Sequence, residues 1–173
     1  ALARPRHLVS LIVVLLALLS LVLAAADFRR ESSKPRDWIV VLDTSASMGA
    51  VVLGSDRSRL DEAREALDDA LASMGPGDRV ALVTAGAATA VQIGLTEDHG
   101  KVAELAATVT ADGSSEALPR ALKIADAMAM GDDAEIVLIT DGASVSLPAM
   151  QRAPQIHTVG SAGPNLGINA LAV

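Results

Sequence analysis

From residue 37 onward, short apolar runs alternate with segments that have helical periodicity, and this alternation is the feature that most limits the fold. The first run, 38–42, is fully apolar, and a second apolar run covers 135–140. Such runs are typical of central parallel strands that are buried on both faces. Strands that alternate with helices predict a parallel sheet with helices on both sides. The predicted fold is therefore α/β and doubly wound.

Capping residues and turn residues delimit the remaining elements. Ser58 precedes apolar residues at helical spacing, and Gly75-Pro76-Gly77 follows them, which predicts a helix between these signals. Gly86 lies in a turn before a segment that we interpret as an antiparallel hairpin partner at the edge of the sheet. The predicted strands are 38–42, 79–84, 89–95, 135–140, 156–160 and 168–173, and the predicted helices are 59–71, 98–109 and 116–130.

Residues 8–26 contain no charged side chain. As a helix this segment would be about 28 Å long, close to the ~30 Å hydrocarbon core of a bilayer, so we predict a transmembrane helix. A secretory signal peptide is the alternative, because Arg4 and Arg6 precede the run and Ala24-Ala25-Ala26 is similar to a cleavage site. The predicted organisation is a flank and span at 1–26, a charged linker at 27–36 and one domain at 37–173.

The composition excludes several classes of protein. The chain carries a net charge of −7, and residues 37–173 hold eight basic and nineteen acidic residues, a net charge of −11. With one Phe, one Trp and no Tyr in the chain, this acidic region lacks the basic face and the stacking platforms of a nucleic-acid-binding protein. The absence of Cys excludes disulfides, thiolate metal sites and thiol nucleophiles.

Oxygen-bearing side chains follow both apolar runs. Asp43 ends the first run, Ser45 and Ser47 follow at alternate positions, and Asp141 ends the second run. On an extended or gently turning backbone alternate side chains point the same way, so we expect the first three to face one side. A single Asp at a strand end is often only a cap or turn residue. If the two strands are neighbours, however, all four side chains meet at the edge where open α/β sheets bind ligands, and they suit a hard divalent cation.

Two segments resemble motifs of the von Willebrand factor A (VWA) domain family. Asp43-Thr44-Ser45-Ala46-Ser47 is similar to the family's DxSxS motif, and Ile139-Thr140-Asp141-Gly142 is similar to its TDG segment. The resemblance covers about 37–173 and implies a Rossmann-like, mostly parallel sheet with one antiparallel edge strand. It also implies a metal-ion-dependent adhesion site (MIDAS), in which the two serines bind Mg²⁺ or Mn²⁺ directly and the two aspartates act mostly through metal-bound waters.

In that family a Thr from a separate loop completes the metal site. The matching loop here is 111–116, where Ser115 or Ser114 stands in place of the Thr, and the spacing leaves both open. Ser carries the same hydroxyl as Thr, but its side chain is less restricted in rotamer, so we expect it to hold a metal ion less rigidly. The metal set implied by the resemblance is Asp43, Ser45, Ser47, Ser114 or Ser115, and Asp141.

This donor set favours binding rather than turnover, and we expect no enzymatic activity. Mg²⁺ prefers six oxygens, and neutral hydroxyls leave much of its charge uncompensated, so an Asp or Glu of a protein partner can complete the site. One alternative is an assembly domain of the same fold with an idle metal site. Another is a Mg²⁺-dependent phosphatase or phosphotransferase with Asp43 as its nucleophile. Enzymes of the haloacid dehalogenase type carry a second Asp two residues later, where this chain has Ser45.

An apolar segment followed closely by this domain also resembles bacterial Bat-type membrane proteins of aerotolerance operons. In those proteins the domain lies outside the cytoplasmic membrane, which implies a periplasmic position here and an association with MoxR-type AAA+ ATPases. The basic residues favour the opposite orientation, because two precede the span and four follow it closely. We expect the domain on the outer side.

Overall fold

The structure, a computed structural model, describes residues 8–27, 34–113, 115–131, 133–143 and 146–160. Contacts divide the chain into two units, 1–34 and 35–173. The strand predicted at 168–173 lies outside the described residues.

The first unit contains helix α1 (Leu8–Asp27), which has 20 residues. Its described side chains, at 10–21, are all exposed. In the part of the chain that the structure describes, none of the helices combines the length and the apolar character needed to cross a membrane. The membrane span predicted at 8–26 stays a prediction.

The second unit is built on a five-stranded sheet with the order β3-β2-β1-β4-β5. Its strands are β1 (Asp37–Asp43), β2 (Arg79–Ala85), β3 (Thr89–Thr96), β4 (Ala134–Thr140) and β5 (Gln155–Thr158). β1 is parallel to both of its neighbours, β2 and β4, and β4 is parallel to β5. β3 runs antiparallel to β2 at one edge. The predicted doubly wound sheet with one antiparallel edge strand is confirmed.

Within the described part of the second unit, three helices cover this sheet. They are α2 (Arg59–Ser73), α3 (His99–Thr108) and α4 (Leu118–Met128), and short 3-10 helices lie at Ala46–Gly49 and Ser115–Ala117. Buried residues of α2 and α3 pack on one face of the sheet, and those of α4 pack on the other. The arrangement is therefore three layers, and each predicted helix is present with ends shifted by one or two residues.

The side chains of β1 show why its sequence is continuously apolar. Val40 and Leu42 belong to the core on the α2 and α3 side, whereas Ile39 and Val41 belong to the core on the α4 side. All four are at most 1% exposed. Burying a side chain of this size contributes about 1.5–3 kcal/mol, so β1 is held from both faces and its carboxyl end is a rigid place from which to project a site.

The first turn of α2 is held by a capping box. The Ser58 hydroxyl accepts a hydrogen bond from the Asp61 N–H, and the Asp61 carboxylate accepts one from the Ser58 N–H. The Ser58 hydroxyl also donates to Asp61 Oδ2 at 2.6 Å, and this bond, together with the one from the Ser58 N–H, lowers the pKa of Asp61. The N-cap predicted at Ser58 is confirmed, and it fixes where the next residue, Arg59, enters the helix.

A buried carboxylate closes the turn that leads from α2 into β2. Asp78 is 8% exposed, and its oxygens accept hydrogen bonds from the N–H groups of Arg36 at 2.8 Å and Gly75 at 2.9 Å. Burial acts to raise the pKa of Asp78, but the hydrogen bonds that its carboxylate accepts and the positive charge of Arg36 together hold that pKa below its ordinary value of 3.8. The charged form of Asp78 therefore stabilises this turn.

We expect Asp78→Asn to lower the free energy of unfolding by about 1–3 kcal/mol at about pH 7, because hydrogen bonds to a buried charge are lost. A carboxyl group whose pKa is lowered by folding contributes stability above its unfolded-state pKa, and that contribution disappears as the pH falls through the folded-state pKa. Urea unfolding of the variant and the wild type should therefore converge as the pH falls below about 4 and through the folded-state pKa of Asp78. Asp69→Asn, at an exposed position of α2, is the control, and an Asp78→Asn deficit that persists unchanged in acid would contradict this account.

Candidate metal site at the carboxyl edge of the sheet

The strand order places both acidic turns at one point of the sheet. From β1 the chain builds β2 and β3 on one side, and it later returns to build β4 and β5 on the other side. The carboxyl ends of β1 and β4 therefore form the switch point where open α/β sheets bind ligands. Asp43 is the last residue of β1, and Asp141 directly follows β4. The expectation that the two strands are neighbours is confirmed.

Asp43 is buried and both of its oxygens accept hydrogen bonds from the protein. It is 2% exposed, its Oδ1 accepts from the Ser45 N–H at 2.9 Å, and its Oδ2 accepts from the Thr140 hydroxyl at 2.6 Å. Thr140 Oγ1 in turn accepts from the Gly142 N–H at 3.2 Å. The carboxylate thus joins the loop after β1 to the end of β4.

The backbone is extended only as far as Ser45 (φ −61°, ψ 159°), so the alternation given above as the reason for the common direction of the three side chains does not reach Ser47. Residues Ala46–Gly49 form a 3-10 helix, with the Met48 N–H bonded to the Ser45 carbonyl at 2.9 Å. Asp43 draws the Ser45 N–H inward, and the Met48 side chain is fully buried in the core below. This turn still brings the Ser45 and Ser47 hydroxyls within 3.1 Å of each other.

Asp141 is paired with Arg59, which the sequence assigned only to a helix. Arg59 Nη1 donates to Asp141 Oδ2 at 2.6 Å, and the two side chains are 13% and 2% exposed. Asp141 Oδ1 accepts from the Ala143 N–H at 3.0 Å, and Arg59 Nη1 lies 3.5 Å from the Ser47 carbonyl oxygen. The available sequence signal was a cation in the first turn of α2, where the helix dipole disfavours positive charge. A residue so placed points to a partner outside its own helix.

In the loop 111–116, residues 112 and 113 lie at the same edge of the sheet and contact the loop that follows β1. The Asp112 N–H donates to the Thr44 carbonyl at 2.7 Å, and the Ala46 N–H donates to the Gly113 carbonyl at 3.1 Å. Gly113 has φ +70°, and a Cβ there would lie 2.2 Å from the Ala87 nitrogen, so only glycine fits.

The two serines proposed to replace Thr follow directly. Ser114 lies outside the described residues. Ser115 begins the 3-10 helix Ser115–Ala117, and its side chain lies outside the description. Neither serine is therefore placed relative to the hydroxyl pair of Ser45 and Ser47, and the choice between them stays open.

The chemistry of the described oxygens fits a magnesium-sized ion. Mg²⁺ binds oxygens at about 2.1 Å in an octahedron, so two adjacent ligands lie about 3 Å apart. The Ser45 and Ser47 hydroxyl oxygens are 3.1 Å apart. All four oxygens of the two carboxylates already accept protein hydrogen bonds, but each has a second lone pair that can accept from a metal-bound water. The set therefore suits direct binding by the hydroxyls and indirect binding by Asp43 and Asp141.

We expect Thr140→Val to lower the free energy of unfolding by about 1.5–3 kcal/mol, because a nearly isosteric side chain leaves one oxygen of buried Asp43 without its donor. Urea unfolding measures the loss. Thr140→Ser keeps the hydroxyl and is the matched control, for which we expect a loss of less than about 1.5 kcal/mol from the missing methyl group. Equal losses in the two variants would show that the hydrogen bond contributes little.

The part of the chain that contains this site is similar to a known family of domains. A family model described as von Willebrand factor type A domain matches residues 38–143, the stretch that contains both acidic turns. No curated protein sequence is similar enough to this chain to count as a match.

Solved structures share the fold. An aerotolerance-related membrane protein from Bacteroides fragilis is 20% identical with a TM-score of 0.61, and the match covers 79% of this chain and 76% of that one. BatB from Bacteroides thetaiotaomicron is 23% identical with a TM-score of 0.51, over 62% of this chain and 54% of that one. The type V pili tip protein Mfa5 from Porphyromonas gingivalis is 26% identical with a TM-score of 0.50, over 62% of this chain and 20% of that one. This chain thus spans about half of BatB and a fifth of Mfa5.

Proposed function

Because the chain belongs to the von Willebrand factor type A domain family, we propose that its α/β domain binds a protein partner through a divalent metal ion. Mg²⁺ or Mn²⁺ at the carboxyl edge of the sheet would be held by the chain, and an Asp or Glu side chain of the partner would complete the coordination. The site is one for binding, and no residue in it is assigned a catalytic role.

The observation that carries this proposal is the pair of serine hydroxyls beside two carboxylates that are already satisfied. Ser45 Oγ and Ser47 Oγ lie at the spacing of adjacent metal ligands. Asp43 is held by the Ser45 N–H and the Thr140 hydroxyl, so its charge acts on the site without a direct bond to the ion. A cation bound by neutral hydroxyls keeps most of its positive charge, and the strongest available ligand for the open position is then an acidic side chain.

The roles of the remaining residues follow from the same charge argument. Ser114 or Ser115 would add a third hydroxyl from the loop that the Gly113 carbonyl ties to the first loop. Asp141 would hold a metal-bound water through the free lone pairs of its oxygens. When bound, the metal supplies a concentrated positive charge, and the protein supplies its position and its exposure to a partner.

A second candidate function, an assembly domain with an idle metal site, is favoured by one specific contact. Asp141 Oδ2 accepts a hydrogen bond from Arg59 at 2.6 Å, so a positive charge is already present beside one of the two carboxylates. A domain of this kind would bind its partner through the same fold without a metal. Metal binding by the purified protein separates the two candidates.

We also propose that the domain is attached to a membrane on its outer side through residues 8–26. The uncharged sequence of this segment supports the attachment, and one structurally similar protein is described as an aerotolerance-related membrane protein. Protection of the domain from protease added to spheroplasts, whose outer membrane has been opened, would contradict the outer position.

We expect the full chain to bind Mn²⁺, and the double variant Ser45→Ala/Ser47→Ala to lose at least about tenfold in affinity, because both direct ligands are removed. Isothermal titration with the metal alone measures the affinity, and the rise in melting temperature on adding metal provides a second readout. Ser73→Ala, at the exposed end of α2 where the hydroxyl bonds only to its own helix, is the matched control. A wild-type chain that takes up no Mn²⁺ would favour the idle-site function.

We expect a partner captured by the full chain to be released by EDTA and retained in Mg²⁺, because the ion forms the bridge between the two proteins. Capture is compared between wild type, the double serine variant and Ser73→Ala at equal protein concentration. An interaction that survives EDTA and the double variant unchanged would assign the contact to another surface of the domain.

A further inference from the structure

Several contacts fix the position of the Arg59 side chain beside the candidate metal site. Its guanidinium donates to Asp141 Oδ2 at 2.6 Å and lies 3.5 Å from the Ser47 carbonyl oxygen. Gly160 packs against its side chain: a Cβ at Gly160 would lie 3.1 Å from Arg59 Nε and 3.2 Å from Cγ, and the φ of +87° also favours glycine there. The Gly160 N–H is fixed in turn by Glu62 Oε2 at 2.9 Å. Arg59 is therefore confined between the first loop, the Asp141 turn and Gly160, two residues beyond the end of β5.

The pair that Arg59 forms is largely shielded from water. Only 13% of the Arg59 side chain and 2% of the Asp141 side chain are exposed. Charges in such surroundings interact more strongly than charges on the surface, and either one left alone would be costly. Without a metal, Arg59 is thus the cation that compensates Asp141.

We propose that Arg59 sets the metal affinity of this site by competing with the divalent ion for Asp141. The inference rests on the proposed metal-dependent function and assigns a residue that the sequence motifs do not contain. An ion held at the Ser45 and Ser47 hydroxyls needs Asp141 as a nearby negative charge, and the guanidinium already neutralises that charge. Two cations that share one carboxylate also repel each other. The coupling is reciprocal, so metal binding must weaken the Arg59–Asp141 pair by the same factor as the pair weakens metal binding.

The competition has a consequence for the choice of partner. Asp43 and Asp141 bring two negative charges to the site, and Arg59 cancels one of them. A divalent ion added to these three side chains gives the set a net charge of +1, whereas without Arg59 the same set would be neutral. Arg59 therefore lowers the affinity of the site for the metal and strengthens the attraction between the metal-bound site and the carboxylate of a partner.

The test is Mn²⁺ binding by the full chain with Arg59 changed to a neutral side chain. We expect Arg59→Gln to bind Mn²⁺ about tenfold more tightly than wild type, a typical size for coupling between sites. We also expect it to melt at a lower temperature in EDTA, because Asp141 loses its compensating charge, and to gain more in melting temperature on adding Mn²⁺. Arg57→Gln is the matched control: it removes one positive charge two residues away, from a side chain that pairs with Glu65 instead, and its affinity should stay within about twofold of wild type.

Each outcome decides between the two proposals. Tighter binding by Arg59→Gln than by wild type, with Arg57→Gln unchanged, supports the competition. If only Arg59→Gln binds Mn²⁺, the competition is supported and the natural chain is assigned the idle-site function. Wild-type binding with equal or weaker binding by Arg59→Gln overturns the competition and leaves the metal-dependent function standing, whereas no binding by either protein overturns both. If Arg59→Gln does not fold, Arg59→Lys replaces it: Lys lacks the planar fork that holds a carboxylate, so we expect an affinity about threefold above wild type, and an unchanged or lower affinity overturns the inference.

Discussion

The hydrogen bond from Thr140 to Asp43, at 2.6 Å, is the interaction on which the rest of this site depends. It joins the ends of two parallel strands that are buried in the middle of the sheet, at the point where the chain changes direction across it. Because Asp43 is held there and also bonds the Ser45 N–H, the first loop must turn tightly above the core. This turn brings the hydroxyls of Ser45 and Ser47 close together. The geometry of the site therefore follows from the hydrogen bonds that the buried Asp43 carboxylate accepts.

The electrostatics of the site follow from the same requirement. A buried carboxylate needs donors, and the chain supplies neutral donors to Asp43 but a cation to Asp141. The two acids therefore differ in what they offer a ligand, although both stand at equivalent strand ends. Among the described residues no cationic side chain pairs with Asp43, whereas Asp141 is paired with Arg59. In the proposed metal-dependent function, this difference is the reason that Arg59 would lower the metal affinity and strengthen the attraction to a partner's carboxylate at the same time.

Much of the architecture was predictable because it follows from local patterns. The apolar runs of β1 and β4, the helical spacing of α2 and the cap at Ser58 are all visible in the sequence, and the observed elements differ from the predicted ones mainly at their ends. The direction of Ser47 was predicted for the wrong reason, since an extended or gently turning backbone was assumed where a 3-10 helix forms. Arg59 was missed because its contacts lie 82 residues away in the chain, at Asp141, and no local pattern reports such a contact.

The sequence by itself determined the layered α/β fold and the identity of the candidate ligands, because continuous apolar runs can only be buried between helices and because polar residues that end such runs must lie at the sheet edge. Only the tertiary structure decided which strands are neighbours, which oxygens already have donors and which cation stands beside Asp141. These properties arise from contacts between segments that are distant in the chain. They depend on how the sheet is ordered and on how closely glycines such as Gly113 and Gly160 allow the loops to approach.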